Sequence, residues 1–148
     1  MRKILLTAVL ALAASVALSA QPREAGLRAG YGIEAVYQHS IGNNFIEGDL
    51  GYWHNCFNVA AAFDFVIAQP QWTTEGTWTF YAGPGVGFSA AGGAAAFSIN
   101  AQIGLEYAFE SVPLSLSLDW RPSIVSFTAG GSYWLASWSP AIGVRYCF

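Results

Sequence analysis

The last nine residues, Pro140-Ala141-Ile142-Gly143-Val144-Arg145-Tyr146-Cys147-Phe148, decide the fold class because their side chains alternate in character. Successive side chains of a β-strand point to opposite faces. One face therefore carries large apolar groups: Ile142, Val144, Tyr146 and Phe148. The other face carries Gly143, Arg145 and Cys147. A membrane-spanning β-barrel requires this arrangement, with apolar groups outside and polar groups inside. The stretch predicts the closing strand of such a barrel.

The opposite terminus has the pattern of a secretory signal peptide. Met1-Arg2-Lys3 is basic, the following residues to about Leu18 are apolar, and Ala17-Leu18-Ser19-Ala20 offers small residues for cleavage. A membrane anchor is the alternative, but the apolar run is shorter than the roughly 20 residues that a spanning helix needs. We predict a signal peptide over residues 1–20 and one β-barrel domain over residues 21–148.

The composition restricts the destination of the exported part. Of the six basic residues, Arg2 and Lys3 lie in the signal peptide, so four arginines face nine acids and the formal charge is −5. Nucleic acid is excluded as an expected partner, because it requires a basic surface. Apolar residues make up 54% of the chain and charged residues only 10%, against about 25% charged in soluble domains. A barrel in lipid and a secreted soluble β-sandwich remain as alternatives.

Alternation of apolar and polar residues recurs along the whole exported part and favours the barrel. Segments such as Phe97–Phe109 reach the roughly 9 to 11 residues that cross a membrane at a tilt, whereas globular strands average about 5 or 6. The predicted fold is all-β, an antiparallel up-and-down transmembrane β-barrel. The predicted strand segments are Leu27–Gln38, Phe45–Trp53, Phe57–Ala68, Thr77–Phe88, Phe97–Phe109, Pro113–Trp120 and about Tyr133–Phe148.

The number of predicted segments is odd, although single-chain bacterial barrels use even numbers. Either Leu27–Gln38 conceals a kink and another strand lies upstream, or Ser123–Ala129 is a short additional strand. We expect eight strands, the smallest closed barrel. Pro140 lacks a backbone donor, so we expect a bulge or local bend there.

Several stretches resemble the small outer-membrane barrel proteins of Gram-negative bacteria, the OmpA/OmpX-like class. They are Leu114–Pro122, Tyr31–His39, Gly104–Tyr107 and Gly143–Tyr146. The resemblance implies a cell-envelope protein in the outer membrane, in contact with its lipid, with a structural or interaction role. The terminal Phe148, with Ile142, Val144 and Tyr146, is similar to the signal read by the barrel-assembly machinery. The short loops depart from relatives that act as adhesins. The resemblance names no small-molecule ligand.

Charged residues recur on the face that the alternation directs inward. An eight-stranded barrel is just wide enough for side chains to fill, so arginine and carboxylate groups there are expected to interlock. A narrow selective pore is the alternative. The predicted lumen charge network is Arg28, Glu34, Glu47, Asp49, Asp64, Glu106, Asp119, Arg121 and Arg145.

An outer-membrane enzyme acting on lipid or peptide is a further alternative, but the sequence offers little for it. Such a site needs a histidine with an activating partner, and only His39 and His54 are present, each in a predicted turn. We therefore expect no catalytic residues. The two histidines and two cysteines form no paired metal motif, so no metal and no cofactor are expected.

Whether the two cysteines lie at the same end of the barrel depends on the number of strands that precede Cys56. Cys147 is expected at the periplasmic rim, and Cys56 joins it there only if Leu27–Gln38 is the first ascending strand. With an extra strand upstream, a hydrocarbon core of roughly 30 Å separates the two thiols. We expect no disulfide.

Overall fold

The structure is a computed structural model that describes residues 22–137 and 140–148. The predicted signal peptide, residues 1–20, lies outside the described residues. Within the described part, no helix is long and apolar enough to cross a membrane. The strands are β1 Arg23–Ala29, β2 Ile33–Ile41, β3 Asn44–Trp53, β4 Cys56–Ala68, β5 Thr77–Ala91, β6 Ala94–Ala108, β7 Leu114–Trp120, β8 Ser123–Thr128, β9 Gly131–Ser137 and β10 Pro140–Cys147.

Eight of these strands close into one antiparallel barrel. Each strand from β1 to β6 pairs with the next strand along the chain, β7 pairs with β10, and β10 returns to β1. The ring closes where Leu27 faces Val144. The prediction of a closed, eight-stranded, antiparallel barrel is confirmed. The β-sandwich architecture is wrong, because the described strands form one sheet that closes on itself.

Strands β8 and β9 extend this barrel rather than widen it. Strand β6 pairs with β7 over Ile103–Ala108 and with β8 over Ala96–Asn100. The β8–β9 hairpin thus continues the path of β7 and β10 beyond the ring. Pro140 is the first residue of β10 and pairs with Trp120, a position at which a missing backbone donor is tolerated. The residues immediately before it, 138–139, lie outside the described residues, and so does that side of the expected bulge or bend.

The segment Leu27–Gln38 is two strands, not one. Strand β1 begins upstream at Arg23 and ends at Ala29, and β2 begins at Ile33. The intervening turn includes a hydrogen bond from the Gly30 backbone N–H to the Gly32 carbonyl, 3.0 Å. The alternation of side chains does not reveal this turn, because Arg28 before it and Glu34 after it are an even number of residues apart and both point inward. The upstream strand β1 therefore supplies the eighth strand of the ring, whereas Ser123–Thr128 is also a strand but lies outside the ring.

The barrel has two ends that differ in their connections. At the terminal end, the Arg23 and Phe148 backbones bond to each other, and residues 42–43, 69–76 and 109–113 connect strands. At the hairpin end lie the turns at residues 30–32, 54–55, 92–93 and 129–130. His54 and Asn55 have φ values of 48° and 62°. A two-residue turn with both φ values positive is the type I′ geometry that suits the twist of a tight hairpin.

Candidate functional site

The interior of the barrel is filled by polar and charged side chains. Strand alternation directs one residue in two inward, and charged residues occupy many of these positions. Eight of the nine predicted network residues are less than 10% exposed, and the Glu34 side chain is 14% exposed. The eight are Arg28, Glu47, Asp49, Asp64, Glu106, Asp119, Arg121 and Arg145.

A central ion-pair cluster forms around Glu47, which is fully buried. Arg145 reaches Glu47 Oε2 at 2.6 Å and Glu106 Oε2 at 2.5 Å. Arg121 reaches Glu47 Oε1 at 2.9 Å and Asp49 Oδ2 at 2.7 Å. Gln102 completes the cluster, because its Nε2 donates to Glu47 and its Oε1 accepts from Arg121 Nε. Two guanidinium groups thus bridge three carboxylates that lie on two strands, β3 and β6.

A second cluster lies nearer the hairpin end, around Arg28. The guanidinium donates to Asp119 through Nε at 2.8 Å and also through its terminal nitrogen. It reaches Glu34 Oε2 at 2.6 Å. Glu34 Oε1 accepts from Asn58 Nδ2 at 2.8 Å, and Asn58 Oδ1 accepts from the Ser89 hydroxyl at 3.1 Å. Charge-assisted bonds are the stronger ones in proteins, and here they link four strands, β1, β2, β4 and β7. The neutral bond between Ser89 and Asn58 adds a fifth strand, β5.

Asp64 lies in the interior but outside both clusters. Its side chain is fully buried, and neither carboxylate oxygen makes a hydrogen bond among the described residues. Its strand neighbour Phe45 packs edge-on against Tyr81, with ring centroids 5.0 Å apart. The Tyr81 hydroxyl is likewise without a hydrogen-bond partner in the described part. The described residues form no ion pair between Asp64 and an arginine, so the interlocking expected from the sequence does not extend to this carboxylate.

The predicted network of charged residues omitted several polar residues that the structure places in the interior. Gln102 joins the central cluster, Tyr81 fills space beside it, and Glu24 accepts a hydrogen bond of 2.6 Å from the Ser115 hydroxyl. Gln102 and Tyr81 have the inward parity of their strands, which was the signal that could have found them. A Cβ added at Gly104 would overlap the Tyr81 ring, so the glycine makes room for this side chain.

An open cavity with polar and apolar lining, which we call the cup, occupies the hairpin end of the barrel. Its volume is about 720 Å³. Arg28 and Arg121 form its floor, with the ion-pair clusters beneath them. The walls and rim are formed by Glu34, Asn58, Ala60, Ser89, Ser98, Asn100, Ser123, Gly51, Gly32, Tyr31, Ile33, Tyr52, Trp53, His54 and Cys56.

Local sequence keeps the cup open. A Cβ at Gly51 would come within 2.8 Å of Glu34 Cγ, and one at Gly32 within 2.8 Å of Trp53 Cβ. A side chain at either glycine would therefore displace Glu34 in the wall or Trp53 at the rim. Trp53 shares the inward parity of Gly51 and Asp49, and it immediately precedes the type I′ turn. The turn therefore places an indole over the mouth of the cup, with His54 edge-on to it at 5.0 Å between centroids.

The remaining candidate residues are dispersed. His39 lies in β2 towards the terminal end, whereas His54 lies in the turn at the hairpin end. Cys56 begins β4 at the hairpin end and Cys147 ends β10 at the terminal end, and both are free thiols. The thiols are thus separated by the length of the barrel. Within the described ranges, no group of three or more His, Cys, Asp or Glu residues is arranged to hold a metal ion.

The outer surface reverses the usual distribution of polarity. Leu27, Leu50, Ile103, Leu118 and Ile142 lie on the outward face and are each about half exposed. Aromatic residues gather towards both ends. Trp72, Trp78, Tyr107 and Phe109 form a chain of ring contacts at the terminal end. Towards the hairpin end, the exposed aromatic residues of the outer surface are Tyr52, Phe88, Phe97, Phe127, Tyr133 and Trp134.

Comparisons of the chain with protein-family models, with curated proteins and with solved structures give no match.

Proposed function

We propose that this chain is an integral outer-membrane β-barrel protein with a structural or interaction role in the cell envelope. The observation that carries the proposal is the reversed polarity of the barrel. Arg145 is 1% exposed whereas Leu118 is 58% exposed. In water this arrangement would leave a large apolar surface hydrated, at about 25 cal/mol per Å². In lipid, the apolar outer surface contacts hydrocarbon while the polar side chains pair with one another inside the barrel. The aromatic residues near the two ends of the barrel fit the two membrane interfaces.

The closed barrel supports a membrane-spanning role, because its strands satisfy one another's backbone hydrogen-bond donors and acceptors. A spanning structure must pair its backbone groups internally, and a closed sheet has no edge within the ring. Strands β3 to β6 contain 10 to 15 residues, enough for the roughly 9 to 11 that cross a bilayer at a tilt. The proposal places the terminal end at the periplasm and the hairpin end outside the cell.

The lumen charge network favours a closed interior over a pore. Glu47 and the Arg145 side chain are fully shielded from solvent, and they bridge opposite strands across the centre. A continuous water path would expose these groups. The proposed role is therefore a structural or interaction role and not that of a pore. We expect no stepwise ion conductance in planar bilayers.

Export and insertion rest on the two termini. The proposal takes residues 1–20 as a cleaved signal peptide and the closing strand as the segment engaged by the barrel-assembly machinery. Ile142, Val144 and Tyr146 are about half exposed on the outward face, and Tyr146 stacks with Phe148 at 6.4 Å between centroids. The apolar face of this strand is thus available to a partner before the ring closes.

Membrane fractionation tests the proposal. The full chain is produced in Gram-negative cells, and outer-membrane samples are compared boiled and unboiled on a detergent gel. We expect recovery in the outer membrane and a heat-dependent change in migration, with less folded protein when Phe148 is deleted. Phe148→Tyr is the matched control and should retain assembly, because it keeps a terminal aromatic. A soluble periplasmic product whose migration does not change with heating would refute the proposal.

A further inference from the structure

The cup has the size and the access of a small-molecule site. Binding pockets for small molecules have volumes of roughly 300 to 1,000 Å³, and the cup holds about 720 Å³. Its rim residues Tyr31 and Trp53 are 77% and 50% exposed, so the cavity opens at the hairpin end. Its floor is closed by Arg28 and Arg121, each of which is ion-paired with carboxylates. A ligand would enter from that end and stop at the floor.

The charged groups of the cup are already neutralised by one another. Both oxygens of Glu34 are in use, one by Arg28 and one by Asn58. Arg28 also binds Asp119, and Arg121 binds Glu47 and Asp49. A charged ligand would have to displace one of these bonds and leave a buried group unpaired, which is strongly unfavourable. The cup therefore favours a ligand without formal charge.

The walls offer neutral donors and acceptors close together. Asn58 and Asn100 face the cavity, each held by a serine hydroxyl that donates to its Oδ1, at 3.1 Å from Ser89 and 3.0 Å from Ser123. These bonds use only part of the donor and acceptor capacity of the two amides. The orientation of the amides is fixed before a ligand arrives. Such pairs suit a ligand whose adjacent hydroxyl groups both donate and accept.

Trp53 adds an apolar surface beside these polar walls. Its indole lies at the rim on the inward side of β3, between the type I′ turn and Gly32. An aromatic ring at a half-exposed position supplies a large, rigid contact area with little loss of conformational entropy. Only a ligand with both a hydroxylated edge and an apolar C–H face would use the amides and the indole together.

From these features we propose that the cup binds a neutral saccharide. Pyranose rings meet both requirements, since their hydroxyl groups match the walls and their C–H faces pack on Trp53. The inference goes beyond the proposed membrane role. Its test uses the folded barrel in detergent and measures ligand binding separately from folding, so a failure of the membrane proposal and a failure of ligand binding are distinguishable.

The test uses the purified protein in dimethylamine-oxide micelles, because detergents with sugar head groups would compete. Maltose, lactose and N,N′-diacetylchitobiose are titrated separately to about 10 mM, a range that detects a Kd near 1 mM by calorimetry or NMR. Phosphate and tetramethylammonium serve as charged comparators. Trp53→Ala is compared with Trp134→Ala, which removes another exposed indole at the same end without touching the cup. Heat-dependent migration checks that each variant folds, and Asn100→Ala replaces Trp53→Ala if that variant fails.

We expect saturable binding of at least one disaccharide, weakened about tenfold or more by Trp53→Ala and unchanged by Trp134→Ala. Absence of binding by all three disaccharides in folded protein would overturn the inference. So would equal affinity in Trp53→Ala, equal losses in both tryptophan variants, or saturable binding of a charged comparator alone. A fold failure appears in the migration check, so it is not mistaken for a binding failure.

Discussion

Replacing Arg145 by methionine tests whether the central ion-pair cluster holds the barrel together. The guanidinium is 1% exposed and bridges Glu47 and Glu106 at 2.6 and 2.5 Å. Methionine fills a similar length of the lumen without a charge. The substitution therefore isolates the loss of the two ion pairs from the loss of volume.

The expected magnitude follows from the partners that remain. Glu47 keeps its ion pair with Arg121 at 2.9 Å and its hydrogen bond from Gln102 at 2.7 Å, so its negative charge stays largely compensated. Glu106 loses the arginine that binds it and stays 7% exposed. Removing one partner of a buried pair costs about 3 to 5 kcal/mol, and we expect Arg145→Met to lower the free energy of unfolding by that amount. Adding Glu106→Gln should recover about 1 kcal/mol or more, because it removes the uncompensated charge.

The assay is reversible urea unfolding in lipid vesicles, followed by the fraction that migrates as folded protein without boiling. Linear extrapolation gives the free energy of unfolding, provided that the slope is unchanged. Leu116→Met, on the outward face of the neighbouring strand, is the control and should change it by about 0.5 kcal/mol or less. A loss below about 1 kcal/mol for Arg145→Met, or a further loss on adding Glu106→Gln, would refute the reasoning.

Three further predictions test the surface, the topology and the packing. Leu118→Arg puts a charge in the middle of the outward apolar face, and should lower the free energy of unfolding in vesicles by about 2 to 4 kcal/mol; Leu118→Ile is the control, and equal stability of both would contradict a lipid-facing position. A membrane-impermeant maleimide should label Cys56 on intact cells and Cys147 only after permeabilisation, because the two lie at opposite ends; equal labelling would place them together. Gly104→Ala should cost about 1 to 3 kcal/mol, since its methyl group overlaps the Tyr81 ring. Tyr81→Ala in the same chain should reduce that cost, and a cost unaffected by this second change would show that the overlap is not its cause.

The sequence predicted the barrel class and most inward positions, because both depend on local geometry. Alternation of side chains along a strand is a property of the extended backbone, so the parity of Glu47, Asp64 and Arg145 could be read without a structure. The same parity concealed the turn at Gly30–Gly32, since inward residues continue in phase on both sides of it. Locating that turn required the pairing of Ala29 with Ile33.

The sequence alone thus determined which side chains enter the barrel, while the tertiary structure decided which of them meet. Arg145 and Glu47 are 98 residues apart, and Arg28 and Asp119 are 91 apart. Their contacts depend on the register of strands that pair around the closed ring, and no local pattern specifies that register. For the same reason the isolation of Asp64, the place of Gln102 in the central cluster and the existence of the cup could be found only in three dimensions. Each depends on which inward residues of distant strands lie at the same height in the lumen.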